Sequence, residues 1–419
     1  MRGPTVWLGQ RVFPAKPVAM LDVGSHKIVC LIGMRADGAA GRGRLLGYAY
    51  RRSEGVVGGR ISNMAAAEMC VRQAIAQAEK MADATVDVAF AAMSTPARAE
   101  RFQARAALPF GAASGDDIDR ILLAVRRDAA RRGEAALHLH PRGFAVDDDE
   151  ATPDPRGLPG GVLSADLSAL FAEAQTVRRV QACLARMHIA LGGFAVSSFA
   201  SALGVLSDAE AERGALVIDM GAASTAACHV AGGALAGAAS VREGGAAVTA
   251  DLAQAFALSM AEAERLKTMH GGVLSGPEDE GESIRLAIDA HGGQVLVSLP
   301  KPEVNAVVRK RQEAIFRALA AEIGTAAAGR PVILTGGGSQ LLGAAALAER
   351  VFGGPARAVA PAPLFNGPSP EAGPGFAAAA GLFSHAGRAD FAANVSVLAP
   401  EEPARGYFAR VGEWLRQGF

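Results

Sequence analysis

Twice along this chain an apolar run ends on Asp-x-Gly. The first reads Val18-Ala-Met-Leu-Asp22-Val-Gly24 and the second Leu216-Val-Ile-Asp219-Met-Gly221, with the aspartates 219 − 22 = 197 residues apart. A second apolar run follows each within a few residues, at 28–34 and at 225–230. Each unit is therefore expected to be a β-hairpin, with its turn at Gly24-Ser25-His26-Lys27 or at Ala222-Ala223-Ser224. A repeat at this separation divides the 419 residues into two related halves.

Composition sets the frame. Half of the residues are hydrophobic, enough for a sizeable core and too many for wholesale disorder. Lys and Arg number 42, and so do Asp and Glu, so the net charge is zero and no basic face for nucleic acid is expected. Cys30, Cys70, Cys183 and Cys228 are spaced for neither a zinc site nor a redox pair, and a reducing cytoplasm suits them. The basic N-terminus lacks the apolar stretch of a signal peptide. Segments 187–207 and 220–241 are nearly uncharged and long enough to cross a bilayer, but both are built of Ala, Gly and Ser with Gly-Gly pairs. They are expected to be buried elements of an α/β core.

Around the two hairpins the pattern predicts a third strand at 44–50, a helix over 64–81 capped at Ser62-Asn63, and a strand at 86–92. Residues 94–172 read as a small inserted α+β unit. Its helix spans 116–132, with Ile118, Ile121, Leu122 and Val125 on one face and a capping box from Ser114 to Asp117; a short strand lies near 135–140 and a turn-rich run covers 147–161. Near 331–342 a strand enters the loop Gly336-Gly337-Gly338, and 376–385 reads as a last packed helix.

The chemistry these features suit is phosphate binding. Phosphates settle where backbone N–H groups converge and no side chain blocks approach, as Gly24-Ser25 and Gly221-Ala222 allow. Asp22 and Asp219, at the strand ends, suit the hydration shell of Mg²⁺, which takes few carboxylates and several waters. Lys27 either reaches a terminal phosphate or stays solvated. Gly336, Gly337 and Gly338 would let an adenosine lie against bare backbone. Neither GxxxxGK[ST] nor a strand-borne GxGxxG occurs, which disfavours a Walker ATPase and a dinucleotide dehydrogenase.

Here the sequence resembles a known family. LDVGSHKI and VIDMGAAST are similar to the two phosphate loops of the actin/Hsp70/sugar-kinase superfamily, and ILTGGGSQLLG to its adenosine motif. Within it, EGVVGGRISNM, HPRGFAVDDDEATPDPRGLPG, EGGAAVTADLAQAF, AEAERLKTMHGG and GYFARVGEWLRQGF resemble the FtsA family of bacterial division proteins, from about residue 17 to the end. The resemblance implies an α/β, actin-like (ribonuclease H-like) two-domain fold with an inserted 1C (SHS2-type) subdomain. The expected divisions are a flexible 1–16, subdomain 1A at 17–93 and 173–206, 1C at 94–172, 2A at 207–249 and 331–385, 2B at 250–330, a linker at 386–405 and a terminal amphipathic helix at 406–419. It implies ATP and Mg²⁺ as cofactors, with Asp22, Gly24, Ser25 and Lys27 in the first phosphate loop and Asp219, Gly221, Ala222 and Ser224 in the second. Gly244 and Gly245 would cover phosphate. Glu264 and Lys267, three apart on one helix face, would lie beside the nucleoside, a surface ion pair being the other reading. It implies self-association into filaments, FtsZ as partner, contact with later division proteins through the insertion, and a peripheral place on the cytoplasmic face of the inner membrane at the division site. The usual Gly-Gly second loop is here Gly221-Ala222-Ala223; any need for positive φ at the alanines would cost about 1 kcal/mol each. At most a slow ATPase is expected, with nucleotide acting as a conformational switch.

The tail carries its own signal. Tyr407, Phe408, Val411, Trp414, Leu415 and Phe419 form one helical stripe, and 405–419 carries a net charge of +2 from three Arg and one Glu. That suits an interface with anionic lipid; a helix docked on its own domain is the other reading. The same fold class also includes sugar or acid kinases and PilM-type pilus assembly proteins, which would not need this tail. His138-x-His140, the arginines at 126–127 and 131–132, and Ser197-Ser198 suggest no metal, partner or nucleophile site beyond solvated or structural roles.

Overall fold

The computed structural model describes residues 15–35, 43–147, 149–274, 276, 279–290, 293–325, 328–361 and 373–385. The expected tail and linker lie outside them.

The first half opens with β1 (Val18–Val23), β2 (Lys27–Arg35) and β3 (Gly43–Arg52), a small ribbon of β4 (Val56–Val57) and β5 (Arg60–Ile61), then α1 (Met64–Ala82) and β6 (Val88–Met93). Asn63 caps α1, its side chain accepting from the Ala66 N–H at 3.1 Å. The insertion follows as β7 (Ala97–Ala107), α2 (Gly115–Arg131), β8 (Glu134–Val146) and β9 (Val162–Glu173). Then come α3 (Ala174–Ala185), β10 (Ala190–Val196), α4 (Ser197–Val205) and α5 (Asp208–Arg213). The second half holds β11 (Ala215–Met220), β12 (Thr225–Ala231), β13 (Ala234–Val241), α6 (Gly245–Phe256), α7 (Met260–His270), β14 (Ser283–Ala290), β15 (Gly293–Pro300), α8 (Lys301–Ile323), β16 (Val332–Thr335), α9 (Ala344–Phe352), β17 (Ala356–Ala358) and α10 (Ala377–His385).

The repeat read from two hairpins extends to whole sheets. One sheet runs β3-β2-β1-β6-β10 and the other β13-β12-β11-β16-β17. In both, the first hairpin is antiparallel and the next two strands join in parallel. The register repeats as well. Asp22 stands opposite Val29 and Ala92, and Asp219 opposite Ala226 and Thr335. In each strand the aspartate is the one residue that is not fully buried, as expected where an otherwise apolar central strand ends at a cleft.

Two helices exchange sides. The chain enters α4 from β10 of the first half, yet α4 packs on β11 and β12 of the second. Helix α10 returns from the second half onto β1, β2 and β6, with the Phe383 ring so close over Gly33 that a Cβ there would meet it at 2.3 Å. The two helices pack on each other through Gly204 and Gly381; a Cβ on Gly381 would lie 1.8 Å from the Ala200 carbonyl oxygen. One core cluster consequently includes Phe199 and Phe383 together with Val217, Cys228 and Ile333.

The insertion differs in detail from the expectation. The strand foreseen near 135–140 runs on to Val146, and β7 and β9, which the pattern did not single out, complete the sheet in the order β7-β9-β8. Alanine fills most of the inward positions of β7, Phe102 being the exception, so its alternation is weak in hydrophobicity. The α2 face packs as expected on the apolar side, and the Ser114–Asp117 capping box is formed. A bulge between Leu137 and His140, with His138 at φ +51°, breaks the alternation that would set both imidazoles on one face, and both are buried. Arg126, taken as solvated, is buried; Arg132 pairs with Asp128 and Glu134. Segment 187–207 forms β10 and α4, and 220–241 forms β12 and β13. No described helix is long and apolar enough to cross a membrane.

Candidate functional site

The two aspartate-ended hairpins face one cavity of about 480 Å³. Its wall takes Asp22, Gly24, Ser25 and Lys27 from the first half, and Asp219, Gly221, Ala222 and Ser224 from the second. Gly245, Glu264, Lys267, Gly336, Gly337 and Gly338 complete the set. Of the residues expected at the site, only Gly244 is not on the wall.

The turns are built alike. Gly24 N–H donates to the Lys27 carbonyl at 3.1 Å, and Gly221 N–H to the Ser224 carbonyl at 3.0 Å. A Cβ on either glycine would meet that carbonyl at 2.8 Å, so close approach rather than a left-handed backbone excludes side chains there. Neither Ala222 nor Ala223 adopts positive φ; the strain foreseen for this loop does not arise. Gly244 and Gly245 serve the second loop. Gly245 N–H donates to Gly221 O at 3.0 Å and Ala246 N–H to Ala222 O at 2.8 Å, fastening the start of α6 to the turn. A Cβ on Gly244 would lie 2.4 Å from Gly221 O.

The floor is acidic. Burial, then the nearby Asp219 charge, pushes the Asp22 carboxyl up to about 7, against the pull of Lys27 and of the Ser197 hydroxyl. Burial also raises Asp219, opposed by the Ser201 hydroxyl and Lys27. The Lys27 ammonium is lowered by burial despite the two aspartates, and its Nζ lies 4.8 Å from the centre of the Phe376 ring. Two crowded acids with one lysine make a site whose charge is incompletely balanced by the protein, and a cation with phosphate would complete it.

On the opposite wall, Lys267 Nζ donates to Glu264 Oε2 at 2.6 Å, to Thr249 Oγ1 at 2.9 Å and to the Gly245 carbonyl at 3.0 Å. Against burial, which alone would raise it, the bonds from Lys267 and Thr249 hold the Glu264 carboxyl below its usual range. The pair is thus a half-buried part of the cavity and not a solvated surface pair. Gly336 sits at φ +79°, where a Cβ would strike the Asp219 carboxylate at 2.3 Å, while Gly337 faces open space. Past β16 the chain thus presents bare backbone to the cavity, with Gln340 and Leu341 beside it. The residues fit a nucleotide with a divalent cation: glycine turns for phosphate, acids for the cation's waters, and a flat glycine wall for a nucleoside.

Several residues in and beneath the wall were not read as site residues from the sequence, four polar ones among them. Ser197 and Ser201 hydrogen-bond the two aspartates, Thr249 links Glu264 to Lys267, and Gln312 reaches the cavity from α8. Their partners lie far off in the chain or on another helix, and no local motif marks them.

Comparison with known proteins agrees with this architecture. The family model described as "Cell division protein FtsA" matches residues 216–381, and that described as "SHS2 domain inserted in FTSA" matches residues 97–170. The chain is 32% identical to Cell division protein FtsA of Rhizobium meliloti (strain 1021) over 96% of its length and 95% of the relative's. It is 25% identical to Cell division protein FtsA of Escherichia coli (strain K12) over 96% and 98%. Among solved structures, the PilM-PilN type IV pilus biogenesis complex aligns with a TM-score of 0.61 at 18% identity, covering 88% of this chain and 98% of that one. MreB5 of Spiroplasma citri bound to ADP aligns with 0.51 at 12%, covering 87% and 94%. These two show the fold, which is actin-like α/β, and the second family model identifies the insertion between β6 and α3 as SHS2-type. From the duplicated sheets, the insertion and its full-length relatives, it follows that this chain belongs to the FtsA family of bacterial cell division proteins.

Proposed function

We propose that this division protein binds ATP with Mg²⁺ in the cavity between its halves and assembles with other copies on the cytoplasmic face of the inner membrane, where it tethers FtsZ filaments and recruits later division proteins. The observation that carries the reading is the meeting of two matched Asp-x-Gly turns, one from each half, with the Glu264–Lys267 pair and the Gly336–Gly338 turn on one cavity. The fold accommodates an adenine nucleotide in MreB5, whose structure holds ADP.

In this reading the turn backbones at Ser25 and Ala222 bind phosphate, Lys27 balances its charge, and Asp22 and Asp219 orient water around the cation. A bound Mg²⁺ would neutralise phosphate charge. Glu264 and Lys267 hold the nucleoside side of the cavity, and Gly336, Gly337 and Gly338 let it approach. Gln312 and Gln340 also line the cavity, and in this reading the nucleotide acts as a conformational switch with at most slow hydrolysis. Because the walls come from both halves, nucleotide binding favours the arrangement in which both walls touch it over any in which they do not.

The tail supplies the membrane contact through Tyr407, Phe408, Val411, Trp414, Leu415 and Phe419, with arginine beside anionic lipid. The test is electron microscopy of anionic lipid monolayers incubated with the protein and ATP. Filaments are expected on the lipid, lost on removal of residues 406–419 and without nucleotide. Filament coverage unchanged by the truncation would reject the tether, and coverage unchanged without nucleotide would reject the switch.

A further inference from the structure

Two buried hydroxyls beneath the cavity link its halves. Ser197 Oγ donates to Asp22 Oδ1 at 3.3 Å, and Ser201 Oγ donates to Asp219 Oδ2 at 2.9 Å. The two serines are each 1% exposed and sit one turn apart on α4. Residues four apart on a helix share a face, with side chains about 5–6 Å from one another. One helical turn therefore spans the two aspartates, which belong to different sheets and different halves. The helix is rigidly held: it packs on β11 and β12, and its back meets α10 at a contact too close for any side chain at Gly204 or Gly381.

The chemistry of the floor gives this spacing a use. Two carboxylates that lie side by side repel, and nothing in their own strands sets the distance between the halves. A hydroxyl donating to each removes that freedom and leaves other lone pairs of each carboxylate for further donors. We propose that Ser197 and Ser201 are positioning residues that hold the acids of the two halves one helical turn apart, so that both accept hydrogen bonds from water on a single divalent cation brought in with the nucleotide phosphates. The inference rests on the reading of the cavity as a nucleotide site. Ser198, equally buried on the same turn, donates to neither aspartate and is the internal control.

The experiment is titration calorimetry of the full chain with a non-hydrolysable ATP analogue, in Mg²⁺ and in chelator. The quantity read is the gain in affinity that Mg²⁺ brings. For S201A that gain is expected to shrink by about tenfold, the scale of one hydrogen bond to a charged group, and for S197A, with its longer bond, by about threefold. Affinity in chelator stays within about twofold of the parent, and S198A keeps the full gain. A purely structural role would instead lower affinity alike with and without Mg²⁺, or lower only the melting temperature; either result, or an unchanged gain in both alanine variants, overturns the proposal. If S201A unfolds before it can be measured, S201C replaces it under the same expectation, since its thiol keeps the size but is a far weaker donor. A parent protein that takes up no nucleotide even with Mg²⁺ overturns the nucleotide reading itself, whereas a parent with a Mg²⁺-dependent gain that the serine variants retain overturns only the positioning role.

Discussion

At Asp22 the protein keeps an acid that ionises reluctantly, and the sign of its effect on stability follows. The folded carboxyl titrates near about 7, raised from 3.8 by burial and by Asp219. Between those values the folded chain holds a proton that the unfolded chain has released, so this group makes stability fall as pH rises through that window. Replacing the carboxyl by an amide removes the penalty. Nucleotide-free D22N is expected to exceed the parent in stability at about pH 8 by on the order of 1–2 kcal/mol, with the difference vanishing near pH 4. Urea denaturation across that range checks it, and equal pH slopes for the two proteins would refute the assignment. The cost appears in binding, where D22N loses Mg²⁺-dependent nucleotide affinity. Asp22 and Asp219 were legible in the sequence because each ends an apolar run before a glycine turn. Ser197 and Ser201 were not: one lies 175 residues from its partner and the other 18, and neither sits in a motif that announces a hydrogen bond.

At the scale of elements, local chemistry and packing divide the explanation. Helix α2 begins where Ser114 caps it and turns Ile121 inward, both set by spacing within a few residues. The hairpins at both cavity loops follow from apolar runs broken by Gly. Strands β7 and β9 were missed because Ala occupies most inward positions of β7, and because β9 is buried on both faces with Ala and Ser among its Leu and Phe, so neither shows a clear hydrophobic alternation. The crossing of α4 and α10 was equally hidden, since glycine in a helix reads as a weakness until a neighbour fills the space. That crossing predicts the effect of G381A. Although alanine favours helix, its Cβ would lie 1.8 Å from Ala200 O, forcing the helices apart at a cost of about 1–3 kcal/mol or more. The urea midpoint should drop, and nucleotide affinity with it, because α4 carries the serines. A midpoint at or above the parent's would show that the helices yield freely.

Across the whole molecule, the exchange of α4 and α10 makes one cooperative body of two duplicated halves. Their shared core, with Phe199, Val217, Ile333 and Phe383 in one cluster, leaves neither sheet able to bury its inner face alone. A single unfolding transition is therefore expected for the described body, although the sheets are separate. A ligand bound between the halves stabilises that whole transition. ATP with Mg²⁺ at a hundred times its dissociation constant should add about 2.7 kcal/mol, read as a rise of one melting peak in calorimetry. Two peaks, with only one shifted by nucleotide, would place the site within a single half.

The sequence by itself determined the features that neighbours within a few residues decide: the paired Asp-x-Gly turns, the glycine run after β16, the capped helices and the apolar stripe of the tail. It also carried the family, because those segments recur in order. Only the tertiary structure decided that both aspartates lie over one helical turn, that Gly244 packs against the second loop rather than lining the cavity, and that two helices trade halves. Those outcomes depend on distances between residues far apart in the chain, which are set by close packing of whole faces and leave no periodic trace along the backbone.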